Sequence, residues 1–227
     1  MKVEKLKGHS GCDLFLYKEK NHNFVRKISP NKKYNERLFE QCKKQRIWNN
    51  DFSSVPNVLT TGYKEGLFYF DMEYVLGSTV SNLLAEDQID IDEFVEFVVA
   101  HYKIQFEEKK ESKDLINVYS KKIKQFNALK YKYPFIKNLD QALELIKNNF
   151  SVPNYTSIVH GDMTLENLIK SKKDNKIYMI DFLDEFSNGL YTDLSKIFQD
   201  IQGGWSFFNR YHNVPQKDQS NLSVRLL

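Results

Sequence analysis

The stretch Ile158-Val159-His160-Gly161-Asp162-Met163-Thr164-Leu165-Glu166-Asn167-Leu168-Ile169, with its continuation Lys176-Ile177-Tyr178-Met179-Ile180-Asp181-Phe182-Leu183-Asp184-Glu185, decides how this chain folds. Two apolar runs, Leu168 to Ile169 and Ile177 to Ile180, predict short strands. Asp174 and Asn175 supply turn chemistry between them, so the pair reads as a β-hairpin. Polar groups stand at both ends of that hairpin. His160, Asp162 and Asn167 precede its first strand, and Asp181 follows its second. Asp and Asn are also ordinary turn and cap residues, so the rest of the chain must decide whether these four form a site.

The whole chain bounds the answer. With 227 residues, 41% of them hydrophobic and 14% aromatic, it can bury a core large enough for one sizeable domain or two small lobes. Its 33 basic and 30 acidic residues are interspersed and leave a net charge of +3, which demands no nucleic-acid-binding surface. The locally basic run from Lys121 to Tyr133 reads as a solvated helix face rather than an RNA patch. Cys12 and Cys42 stand far apart in sequence without His or Cys at ligand spacing, which favours reduced thiols over a disulfide or a zinc site. The N-terminus carries no apolar secretory core, and the apolar cluster Phe94 to Tyr102 is too short to span a bilayer. A cytoplasmic protein with no membrane insertion and no nucleic-acid partner is expected.

Upstream, Val3 to Leu6, Asp13 to Tyr17 and Phe24 to Ser29 read as three strands of an antiparallel meander broken by Gly8, Gly11 and the Asn21-His22-Asn23 turn. Ser10 and Gly11, in the first of those turns, could bring backbone N–H groups against phosphate oxygens; an ordinary hairpin turn explains them equally. On the third strand Lys27 and Arg26 are both candidates for a phosphate-binding cation. Alternation puts Val25, Lys27 and Ser29 on one face and selects Lys27. A helix over Lys32 to Trp48 offers Glu36 and Glu40 as partners for that lysine, and Glu40 is preferred because it lies at the edge of the apolar face. An ion pair with Lys44 would be its bland alternative.

Val58 to Thr61 and Leu67 to Val75 complete a sheet of about five strands. Extended structure is expected to end at Gly77, which makes Met72 to Val75, with Glu73 and Tyr74 at its centre, the linker where main-chain groups would read a nucleotide base. Beyond it the apolar period becomes helical. Asp90 with Glu93 predicts a capping box before a helix through Phe94, Val98, Tyr102 and Phe106, where His101 reads as a core or surface residue. Two more helices are expected over Asp114 to Lys130 and Leu139 to Asn149, bounded by Pro134 and Pro153.

The chemistry follows from residue types and order. Gly161 permits a sharp turn that presents the Asp162 carboxylate to a substrate hydroxyl as a catalytic base. Asn167 and Asp181 are oxygen donors of the kind magnesium prefers. A carboxylate, an amide and a second carboxylate after the next strand suit phosphoryl transfer, in which positioning and charge neutralisation do most of the catalysis. His160 stands without a second histidine at ligand spacing, which argues against a zinc hydrolase and for a hydrogen bond to the loop backbone.

The run His160 to Asn167, H-G-D-M-T-L-E-N, with Met179 to Phe182, M-I-D-F, downstream, resembles the signature of the aminoglycoside phosphotransferase and choline kinase family. Gly161 and the I-D-F-L-D continuation are similar to this small-molecule branch rather than to protein kinases, which carry H-R-D, D-F-G and an A-P-E segment. The later run Tyr191 to Asp200, Y-T-D-L-S-K-I-F-Q-D, also resembles it. The resemblance implies an α+β, bilobal, protein-kinase-like fold. A small antiparallel-sheet lobe with one helix (residues 1–75) would bind the nucleotide, and a mainly helical lobe (residues 76–227) would carry the catalytic hairpin and the acceptor site. It further implies ATP or GTP as donor, Lys27 paired with Glu40 around its phosphates, magnesium on Asn167 and Asp181, and Asp193 bracing the catalytic loop. The glycine turn departs from the pattern by lacking a full G-x-G-x-x-G. Asp184 and Glu185 would meet a cationic acceptor, as acidic residues do in this family, although a solvated loop explains them too. Trp205, with Phe207, Phe208 and Tyr211, could form an aromatic acceptor pocket, although helical spacing also suits core residues. The expected activity is phosphorylation of a small hydroxyl compound such as an amino alcohol, amino sugar or sugar. A catalytically silent nucleotide- or partner-binding protein is the alternative, and the presence of Lys27, Asp162, Asn167 and Asp181 together argues against it.

Overall fold

Alternating apolar positions in the first third of the chain build a five-stranded antiparallel sheet from β1 (Lys2–Leu6), β2 (Asp13–Lys18), β3 (Asn23–Ile28), β4 (Val58–Lys64) and β5 (Leu67–Glu73). Their spatial order is β1-β2-β3-β5-β4. The structure is a computed structural model that describes residues 2–6, 11–20, 22–48, 54–132, 138–149, 155–183 and 188–206. Leu16, Val25, Phe68, Phe70 and Met72 face one side of the sheet, and α1 (Asn35–Ile47) lays Leu38 and Cys42 against them to close a first apolar cluster. Gln41 and Gln45 are buried with Leu38 and Cys42, the i, i+3, i+4, i+7 spacing of one helix face. Val25 and Lys27 share the buried side of β3, as alternation requires. On the opposite face Arg26 donates two hydrogen bonds to Asp71, at 2.7 and 2.8 Å, and its guanidinium lies 4.0 Å from the centre of the Tyr69 ring.

The linker Tyr74 to Leu76 leads into β6 (Gly77–Thr79), α2 (Val80–Ala85) and α3 (Ile91–Glu107). Next come β7 (Lys110–Glu111), α4 (Leu115–Lys132), α5 (Leu139–Asn149) and β8 (Tyr155–Thr156). A 3-10 turn (Leu165–Asn167), β9 (Leu168–Ser171), β10 (Ile177–Met179) and α6 (Thr192–Gly203) complete the described chain. β9 and β10 form the expected hairpin, with Met179 opposite Leu168 and Asn175 in the left-handed conformation (φ 61°) at its tip. A second apolar cluster of Val80, Leu84, Phe94, Met163, Leu165, Leu168, Ile177, Met179, Phe182 and Ile197 packs beneath that hairpin.

Two expectations need correction. Extended structure does not stop at Gly77: residues 77–79 pair antiparallel with β9, giving a three-stranded sheet of order β10-β9-β6. A Cβ at position 77 would lie 2.1 Å from the Lys170 carbonyl oxygen, so only glycine lets the two backbones approach this closely. The capping box is half formed. The Asp90 side chain accepts from the Asp92 and Glu93 N–H groups, whereas the Glu93 carboxylate pairs with Lys170 across the fold. Trp48 and Val55 are buried in the second cluster, and Ser54 accepts a hydrogen bond from the Met179 N–H at 2.9 Å.

Candidate active site

The loop between β8 and β9 is built on one buried carboxylate. Asp193, in the first turn of α6 and 1% exposed, accepts the His160 N–H on Oδ2 and the Gly161 N–H on Oδ1, both at 2.7 Å. His101 (3.1 Å) and Gln105, both on α3, also bond Oδ2. Burial alone would raise the Asp193 pKa, but the His101 hydrogen bond, the two imidazoles and the His160 N–H outweigh it and hold the carboxyl below its usual value. His160 is fully buried against Phe182, with ring centroids 4.4 Å apart. Its Nε2 faces the Ile180 carbonyl oxygen at 2.8 Å and its Nδ1 accepts the Asp162 N–H at 3.2 Å, a pattern that selects the neutral Nε2–H tautomer. Burial lowers its pKa.

Gly161 takes φ +92°, and a Cβ there would sit 2.3 Å from the Leu183 carbonyl oxygen. The turn that carries Asp162 therefore needs glycine. Asp162 and Asn167 are cross-linked: the Asn167 side-chain amide donates to the Asp162 carbonyl oxygen at 2.8 Å and to Oδ2 at 3.3 Å. The Ile180 N–H bonds the Asn167 carbonyl oxygen at 2.9 Å, which ties the residue before Asp181 to the same loop. Asp181 itself lies in the left-handed region (φ 62°), a conformation costing a non-glycine residue about 1–3 kcal/mol and concentrated at functional sites. Across from it, Lys27 on β3 is 2% exposed and bonds both Asp181 Oδ1 and, at 3.1 Å, Gln41 Oε1. Lys27 thus contacts Asp181, Asn167 contacts Asp162, and the Ile180 N–H links the two pairs.

The expected partner of Lys27 is displaced by one position. Glu40 pairs with Lys43 at 3.0 Å on the solvent side of α1, and Gln41 faces Lys27. One residue is about 100° of helix, so the buried spacing Leu38, Gln41, Cys42 excludes Glu40 from the face that Gln41 occupies. An amide stands where the spacing predicts a charge. Gly11 is in a left-handed turn (φ 76°) with open space around its Cα. The Glu73 carboxylate accepts from the Asn57 N–H and side-chain amide, at 3.0 and 2.8 Å, and the Glu73 N–H donates to the Asn57 carbonyl oxygen at 3.0 Å. The Tyr74 N–H bonds the Asn23 carbonyl oxygen at 3.4 Å. Trp205 is about half exposed just beyond α6. Ser10, Asp184 and Glu185, with Gly8, Asn21, Pro134, Pro153, Phe207, Phe208 and Tyr211, lie outside the described residues.

Two groups on α6 went unread in the sequence. Lys196 Nζ lies 3.1 Å from Asp162 Oδ1, and Asp200, fully buried, accepts the Leu165 N–H at 2.8 Å. Their spacing from Asp193, at i+3 and i+7, was the available signal. Among the described residues no group of three or more His, Cys, Asp or Glu could hold a metal alone. Asn167 and Asp181 supply hard oxygens at adjacent points of the loop, which suits magnesium completed by phosphate and water oxygens.

Similar solved structures include a protein assigned as a fructosamine-3-kinase from Haemophilus somnus 129PT. At 17% identity and a TM-score of 0.57, the match covers 100% of this chain and 91% of that one. Aminoglycoside phosphotransferase APH(3'')-Id from Streptomyces rimosus matches at 15% identity and a TM-score of 0.57, over 99% of this chain and 91% of its own. A thermostable mutant of aminoglycoside phosphotransferase APH(4)-Ia, in ternary complex with AMP-PNP and hygromycin B, matches at 15% identity and a TM-score of 0.60, over 99% and 84%. No family model and no curated protein matches the sequence. At these identities the likeness establishes the fold: the chain is α+β and has the protein-kinase-like fold of these phosphotransferases.

Proposed function

We propose that this chain is a small-molecule kinase that transfers the γ-phosphoryl group of ATP, or of GTP, to a hydroxyl of an amino alcohol, amino sugar or sugar. The observation that carries the reading is the joining of Lys27, from the sheet, to Asp181, beside the loop in which Asn167 is bonded to Asp162. The complexes of a neighbouring phosphotransferase with AMP-PNP and hygromycin B support a nucleotide donor and a small acceptor. The two-lobed division near residue 75 would put the donor between the sheet and the hairpin, its base against the main chain of Glu73 to Val75.

In this mechanism Asp162 orients the acceptor hydroxyl and takes its proton late, as the new O–P bond forms. Lys27, held by Gln41, offers its ammonium to the donor phosphates. Magnesium would be held by Asn167 and Asp181, and when bound it neutralises charge on the phosphates. His160 and Asp193 act on the loop backbone and fix the direction in which Asp162 points. Cys12 and Cys42 are buried and form no disulfide with each other, and no helix among the described residues is long and apolar enough to cross a membrane.

The test is ADP production by the purified chain with magnesium and ATP across panels of amino alcohols, aminoglycosides and sugars. Asp162→Asn should lower turnover by about 10²–10⁴-fold, the range for loss of a positioned proton acceptor. Its affinity for AMP-PNP should stay near wild type. Full turnover in that variant removes Asp162 as the base, and nucleotide binding without transfer to any acceptor favours a silent kinase-fold protein.

A further inference from the structure

We infer that Lys196 is a second cation of the reacting centre, placed beside Asp162 to carry the negative charge of the phosphoryl group in flight; this rests on the kinase reading above. α6 presents Asp193, Lys196 and Asp200 along one face, and each grips the loop from His160 to Leu165 at a different point. Asp193 and Asp200 hold main-chain N–H groups. Among these three, Lys196 alone is bonded to a side chain of that loop, and that side chain is the proposed base.

Lys196 stands in the second turn of α6. Asp162 answers it from across the loop, with both side chains about one-third exposed, so the pair opens to the cleft. Charge also balances. The cleft holds two carboxylates, Asp162 and Asp181, against two ammonium groups, Lys196 and Lys27. Magnesium-bound ATP brings further negative charge, and a cation 3.1 Å from the base lies within reach of the oxygens of a phosphoryl group passing to a hydroxyl held by that base. In the transfer, the acceptor oxygen bonds to the γ-phosphorus and its proton passes to Asp162. The bond from phosphorus to the β,γ-bridging oxygen breaks with its electron pair leaving on ADP. Lys196 stays protonated throughout and donates N–H hydrogen bonds to the phosphoryl oxygens.

The experiment compares wild type, Lys196→Met, Lys196→Arg, Asp162→Asn and, as a surface control, Lys43→Met in the full chain. The readouts are phosphoryl transfer from magnesium-ATP to water and to the acceptor panel, AMP-PNP affinity by calorimetry, and thermal midpoint. Lys196→Met should lower kcat by about 10²–10³-fold, the loss seen when one preorganised transition-state donor is removed. AMP-PNP affinity and thermal midpoint should stay at wild-type values, and Lys196→Arg should restore most of the rate. Wild-type turnover in Lys196→Met beside a dead Asp162→Asn overturns the inference and leaves the kinase reading standing. A rate loss that tracks a lowered thermal midpoint, with no recovery by arginine, makes Lys196 a structural tie and also overturns it. Absence of transfer by wild type to water or to any acceptor overturns both readings together.

Discussion

Replacing Asp193 tests whether the loop is held by a single carboxylate. Asp193→Ala removes the acceptor of the His160 and Gly161 N–H groups and of His101 and Gln105, all in a site with no access to water. A buried donor left unsatisfied costs about 1–3 kcal/mol, so the two main-chain groups alone predict about 2–6 kcal/mol, before any cavity contribution. Domains of this kind are stable by about 5–15 kcal/mol, so the variant approaches the limit of folding. Asp193→Asn keeps the volume and one acceptor oxygen but turns an NH₂ toward the other main-chain N–H, and about 1–3 kcal/mol is expected. Equilibrium urea unfolding measures both. Trp48, stacked on His101 with ring centroids 5.2 Å apart, gives a fluorescence signal within the network. In Asp193→Asn, hydrogen exchange at residues 160 and 161 should accelerate first, and kcat should fall about 10²-fold through misplacement of Asp162 by around an ångström. The reasoning is refuted if Asp193→Ala unfolds within about 1 kcal/mol of wild type with those two amides still protected.

Glu40→Ala should change stability by no more than about 0.5 kcal/mol and leave AMP-PNP affinity unaltered, because it removes an exposed ion pair. Gln41→Ala should weaken nucleotide binding by freeing Lys27, and calorimetry on the two variants would expose the opposite ranking. Gly161→Ala meets both the +92° φ and the Leu183 carbonyl oxygen, and should cost about 2–4 kcal/mol with loss of turnover, whereas Gly203→Ala, with open space, is the neutral control. Equal denaturation midpoints for the two alanines would contradict that. Stability should also fall with acid. The His160 pKa is lowered by burial, so its stabilising effect is complete above the ordinary imidazole value of 6.5; as pH drops below it, the unfolded chain takes up a proton that the folded chain refuses. The lowered Asp193 pKa adds a further loss below 3.8. Urea midpoints that stay flat between pH 7.5 and pH 5.5 would exclude the His160 contribution.

Much of this molecule could be read from spacing. The hairpin from Leu168 to Met179 is local, since its alternation and the Asp174-Asn175 turn need no distant partner. The burial of Lys27 followed from strand alternation with Val25, and α1 from its apolar period. What misled was helix phase. Glu40 and Gln41 differ by one residue, and the choice depends on where the helix settles on the sheet, which Leu38, Cys42 and Gln45 decide collectively. Gly77 was read as a breaker because its purpose, close approach to the Lys170 carbonyl, exists only once β9 lies beside it. Glu93 was assigned to a cap and went instead to Lys170, since a salt bridge between α3 and β9 is invisible to local patterning.

By itself the sequence determined the strands of the first sheet, the hairpin, α1 and α3 to α5, the order of polar residues along the hairpin and the glycine that the Asp162 turn demands. Each depends on forces acting within a few residues: alternation, helical period and allowed backbone conformation. Only the tertiary structure decided partners. It joined Lys27 to Asp181 across 154 positions, bound His160 and Gly161 to a carboxylate more than thirty positions away, and set Lys196 against Asp162. Such pairings arise where separately folded surfaces meet, and their geometry is a property of packing that no local stretch of sequence contains.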